Sequence, residues 1–185
     1  MAFEFEIPAI GGTQTISTEP GASVVFVGAN GGGKTRLAVH IEQTLGLQSH
    51  RISAHRSLSL NPSVPKISEK LALSGLRTGH ADENARVNRR PSSRWQGKEA
   101  TFLLNDFDYL VQVLFAEQAN KSLETHRKAR LGELEKPEPT KFEALTGIWE
   151  RLLPHRRLHI SGDNIEVSVT GSTSRYSASE MSDGE

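Results

Sequence analysis

Gly28-Ala29-Asn30-Gly31-Gly32-Gly33-Lys34-Thr35 fits the spacing G-x-x-x-x-G-K-[ST] at every required position. Residues of these types, spaced in this way, suit the holding of a polyphosphate. Successive glycines let backbone N–H groups point inward without steric bulk, and a helix that starts at the loop adds its positive end. Lys34 is a mobile point charge for β- and γ-phosphates, and the Thr35 hydroxyl is a ligand for Mg²⁺. Contacts to a nucleoside triphosphate are expected from Gly28 through Arg36, the residue that opens the helix.

The flanks are those such a loop needs. Ser23-Val24-Val25-Phe26-Val27 is a short apolar, β-branched run that predicts a buried strand before the loop. Leu37, Ile41 and Leu45 recur at i, i+4, i+8 and predict a helix over Arg36–Leu45, with Gly46 as its C-cap.

The rest of the chain divides into three stretches: an N-terminal β region and phosphate-loop core over 1–60, a helical insertion with a polar loop over 61–156, and a β-hairpin over 157–185. Phe3, Phe5 and Ile7 alternate with Glu4 and Glu6 as a half-buried strand ending at Pro8, and Thr13 to Ser17 pairs back after Gly11-Gly12. His50 to Ala54 reads as the next strand and Ile67 to Leu76 as a helix. Arg77 to Lys98 is polar enough to read as a loop. Its basic group of Arg86, Arg89, Arg90 and Arg94 can touch nucleic-acid phosphates, although a solvated surface is the simpler reading. Thr101 to about Arg130 carries an apolar stripe at Leu103, Phe107, Leu110 and Leu114. A second stripe runs through Phe142, Leu145, Ile148 and Leu152 to Pro154. Leu158–Ile160 and Ile165–Val169 flank Gly162-Asp163-Asn164 as a hairpin.

Composition narrows the function classes. The 185 residues carry 22 basic and 22 acidic side chains, so net charge gives no overall pull toward nucleic acid. There is no cysteine, which removes disulfides and thiolate metal sites, and the seven histidines lack metal-ligand spacing. No apolar run approaches a membrane span and no signal-peptide pattern opens the chain, so a cytoplasmic location is expected.

Gly28, Asn30, Gly31, Gly33, Lys34 and Thr35, taken with Met181-Ser182-Asp183-Gly184-Glu185 at the far end, resemble the ABC-type ATPases, including the SMC and DNA-repair branch. That family's loop has the form G-x-N-G-x-G-K-[ST], and its signature resembles L-S-G-G-E or L-S-G-G-Q. Here Met stands for the Leu and Asp for the first Gly. The resemblance implies an α/β P-loop NTPase fold of the ABC type with a mixed N-terminal β region, a helical insertion and an incomplete C-terminus. It implies ATP and Mg²⁺ as cofactors and a head-to-tail homo-oligomer. In that pairing Ser182, Asp183, Gly184 and Glu185 would act in trans: the Ser182 hydroxyl on γ-phosphate oxygens, the Gly184 backbone close by. Simple helix capping by Ser182 and Asp183 is compatible with that role. The family's acidic Mg²⁺ and water-activating strand follows the signature, so the catalytic residues are expected after Glu185. Phe102-Leu103-Leu104-Asn105-Asp106 precedes the signature and reads instead as the start of a helix. By this reading the 185 residues bind nucleotide with little or no hydrolysis, while the complete protein is an ATPase.

Arg51 to Leu58, Leu103 to Asp108 and Ser179 to Glu185 are further similar to bacterial anti-phage ATPases that work with a TOPRIM-type nuclease, as in the PARIS system and its OLD-like relatives. This implies a nucleotide-dependent scaffold that holds a nuclease partner. His55 and Arg56, after a predicted strand end, are positioned for phosphates or a partner, or are an ordinary surface pair. A DNA-maintenance ATPase and a non-catalytic, ATP-dependent assembly module remain the alternatives.

Overall fold

The computed structural model describes residues 3–53, 61, 63–133, 136–162 and 164–181. Among the described residues the chain is mixed α/β, with two small antiparallel sheets and a set of helices. It separates into two compact units. One comprises Met1–Arg56 with Arg86–Leu104, the other Ser57–Ala85 with Asn105–Glu185.

In the first unit, β1 (Phe3–Ala9) pairs with β2 (Gly12–Thr18), Phe5 opposite Ile16. The strand runs through Pro8 rather than stopping at it, because the pairing continues to Ala9 and Gly12 across a turn that Gly11 makes at φ +87°. Phe3, Phe5 and Ile7 are the half-buried face, and α1 (Lys34–Leu45) packs against this strand. Helix α1 ends at Gly46, whose positive φ closes it.

The buried strand predicted before the loop is not formed. Residues 23–27 have no strand partner among the described residues, and Val25 and Val27 are 78% and 90% exposed. A strand is defined by its ladder, and an apolar run without neighbours on either edge has neither backbone partners nor a surface to bury against. Residues 50–53 likewise carry no strand; Ala54, His55 and Arg56 lie outside the described residues.

The polar stretch read as a loop is partly ordered structure. The turn Val87–Arg89 leads into a short helix, α3 (Arg90–Ser93). Arg90, Arg94 and Trp95 are buried, whereas Arg86 and Arg89 are exposed. The basic group is therefore two pairs with opposite surroundings, and only Arg86 and Arg89 face solvent.

The second unit holds α2 (Glu69–Thr78), α4 (Phe107–Leu131), α5 (Lys141–Leu152) and the sheet β3 (Arg156–Ile160), β4 (Ile165–Val169), β5 (Arg175–Ser177), in the order β3-β4-β5. Its core is Val111, Leu114, Phe142, Ile165, Val167 and Ala178. Helix α4 begins at Phe107, later than expected, and Leu103 and Leu110 of the predicted stripe are exposed. Burial falls on four successive residues, Val111 to Leu114, of which Leu114 alone belongs to that stripe, so a single stripe does not describe the buried part of the helix. α2 packs against α4 at Gly75, beneath the ring of Tyr109. Ser68 caps α2, and Thr140 with Glu143 forms a reciprocal capping box on α5.

Candidate phosphate-binding loop and the charge cluster behind it

Residues 28–36 are exposed throughout. The loop turns on Gly31 and Gly33, at φ +79° and +83°, values that side-chain-bearing residues seldom adopt. A turn closes where the Gly32 N–H donates to Ala29 O at 3.0 Å, and α1 begins where the Leu37 N–H donates to Gly33 O at 2.9 Å. Gly33 is the N-cap and offers no side-chain acceptor, so the amides of the first helical turn are not capped from within. Such a helix end is suited to an anion.

Lys34 folds back over this loop. Its ammonium donates to Gly28 O at 2.6 Å and to Ala29 O at 2.8 Å. An ammonium has three N–H donors, so these two bonds hold the charge above the loop and leave the third for a ligand. Thr35, the next residue, is exposed at the helix start, where a hydroxyl can meet a metal ion held by phosphates. Glycine backbone, one ammonium and one hydroxyl are groups of the kinds that a phosphate and its Mg²⁺ take. Arg36 is exposed beside them, and Asn30 and Ala29 lie in the loop itself. The loop residues predicted from sequence therefore lie together. The signature residues Ser182, Asp183, Gly184 and Glu185 lie outside the described residues.

At the other end of α1 is a group that the pattern did not reveal. The one buried residue of this helix is a glutamate, Glu42, 4% exposed. The apolar stripe Leu37, Ile41 and Leu45 is only half-buried. Arg51 Nε lies 2.8 Å from Glu42 Oε2, while Arg94 Nη1 and Arg90 Nη1 lie 3.2 and 3.4 Å from Oε1. The guanidiniums of Arg51 and Arg94 lie 3.7 and 4.7 Å from the ring centre of buried Trp95. Neither the i, i+4, i+8 spacing of α1 nor the local charge of 86–94 signals this arrangement, because Arg90 and Arg94 lie 48 and 52 residues from Glu42.

No helix among the described residues is long and apolar enough to cross a membrane; α4 has the length, but its C-terminal half is charged. Comparison with protein-family models, curated proteins and solved structures finds no match to this chain.

Proposed function

We propose that this chain binds MgATP on Gly28–Arg36 and belongs to an ABC-type ATPase. The observation that carries the reading is the placement of Lys34. Its ammonium is fixed over a glycine loop by Gly28 O and Ala29 O, next to a helix start without a side-chain cap. The loop amides and the third Lys34 N–H would take phosphate oxygens, and Thr35 would take Mg²⁺. Bound Mg²⁺ would neutralise phosphate charge and orient the terminal phosphate. The resemblance of Met181–Glu185 to an ABC signature extends the proposal to head-to-tail pairing, in which Ser182 of one copy meets the phosphates held by another. The resemblance to anti-phage ATPases adds the role of a nucleotide-dependent scaffold for a nuclease partner. The test is MgATP affinity of the chain and of its Lys34→Ala variant, in which binding should be lost.

A further inference from the structure

Glu42 lies about two turns beyond Lys34 along α1, roughly 12 Å from the phosphate end. Its carboxylate is shared by three arginines, Arg51, Arg90 and Arg94. Each guanidinium also fixes a backbone carbonyl nearby: Arg51 donates to Glu99 O at 2.8 Å, Arg90 to Gly46 O at 3.0 Å, and Arg94 to Arg51 O at 3.0 Å. The carboxylate thus joins α1, the turn after it, and the segment Arg86–Glu99. A buried carboxylate under three arginines is not an efficient source of stability, since apolar packing serves as well. It is efficient at fixing one orientation, because each bond has a required direction.

We infer that Glu42 is a positioning residue for the phosphate loop, and that Arg86–Glu99 is a strap that sets the tilt of α1 through it. The inference rests on the reading of Gly28–Arg36 as a nucleotide site. Helix α1 is 12 residues long and carries a displacement at Glu42 to Gly33 and Lys34 as a rigid rod. Loop amides must converge on one anion, so a small tilt costs affinity although no phosphate is touched. Arg90, on Gly46 O, also sets a positive charge against the negative end of the helix and leaves the opposite end for phosphate.

The test uses the full chain with Glu42→Gln, which keeps the shape and removes the charge, and Arg94→Lys, which keeps the charge and removes the fork. Amide hydrogen exchange without nucleotide is read at Leu37, the first helical donor of α1, with the β1–β2 hairpin as internal reference. Affinity for a fluorescent MgATP analogue is read alongside, at a temperature where the variants are folded. Glu42→Gln should speed exchange at Leu37 and raise the dissociation constant, each on the order of tenfold, with the hairpin amides unchanged and Arg94→Lys intermediate. Equal acceleration in hairpin and helix would make Glu42 a merely structural residue and overturn the inference. So would unchanged affinity in both variants of a chain that binds MgATP. Failure of the unmodified chain to bind would instead remove the nucleotide reading on which the inference rests.

Discussion

Gly75→Ala places the packing of the second unit under a direct test. Alanine is the better helix former by about 1 kcal/mol, so on propensity alone the change should stabilise α2. The structure gives the opposite sign. A Cβ at position 75 falls against the ring of Tyr109, 2.8 Å from Cγ and nearer still to Cδ1 and Cε1. Ordinary contact begins at 3.4 Å, so the ring must retreat by more than half an ångström. Turning the ring about its own axis does not help, because Cγ lies on that axis. Either Tyr109 changes its χ1 rotamer or α2 and α4 separate, an overpacking cost of about 1–3 kcal/mol. Set against the propensity gain, the net destabilisation reaches about 2 kcal/mol, or a fall in Tm of up to roughly 8 °C for a chain of this size. Urea unfolding followed by circular dichroism measures it. In a Tyr109→Ala background the same Gly75→Ala change should become stabilising, since the obstacle is gone. Stabilisation by Gly75→Ala in the unmodified chain would refute the reasoning.

Two further outcomes follow from individual side chains. Glu117 is buried on α4; its Oε2 accepts from the Lys141 N–H at 3.0 Å, and its Oε1 lies 3.1 Å from Lys121 Nζ. Burial alone would raise its pKa, but the Lys141 amide and the Lys121 ammonium outweigh burial and hold it below the ordinary 4.5. A depressed folded-state pKa stabilises above the unfolded value and is lost as pH falls through the folded one. Glu117→Gln should therefore cost about 1–2 kcal/mol at pH 7 and flatten the acid limb below pH ~4.5 in urea titrations at stepped pH. Thr35→Ala should remove most of the gain in nucleotide affinity that Mg²⁺ provides over EDTA, on the order of tenfold, in a fluorescent-nucleotide titration.

Local signals carried the elements whose cause is local. Alternation over Phe3–Ile7 and the Gly162-Asp163-Asn164 turn mark hairpins that the structure contains, with the third strand, β5, too short to announce itself. Thr140 and Glu143 stand at capping-box spacing, a signal readable in the sequence that fixes the start of α5. Gly31 and Gly33 were legible because a positive φ demands a residue type. What sequence did not disclose depends on distant partners. Val24–Val27 has strand composition, yet strand pairing needs an edge that composition cannot supply. Arg90 and Arg94 are a polar stretch in sequence and a buried ion cluster in space, because Glu42 lies on an earlier helix. The stripe on α4 placed Leu114 in the core but missed Val111, because burial runs through the successive residues Val111 to Leu114 rather than along one line.

The central claim is that Gly28–Arg36 holds MgATP through Lys34. Isothermal titration calorimetry of MgATP into the chain and into Lys34→Ala tests it most directly, with circular dichroism establishing that both are folded. Lys34 is exposed and its bonds are confined to the loop, so its removal should leave the fold intact. The account predicts saturable, one-site binding by the unmodified chain and no measurable heat of binding for Lys34→Ala. Equal affinity in the two proteins, or no binding by the unmodified chain, would contradict it.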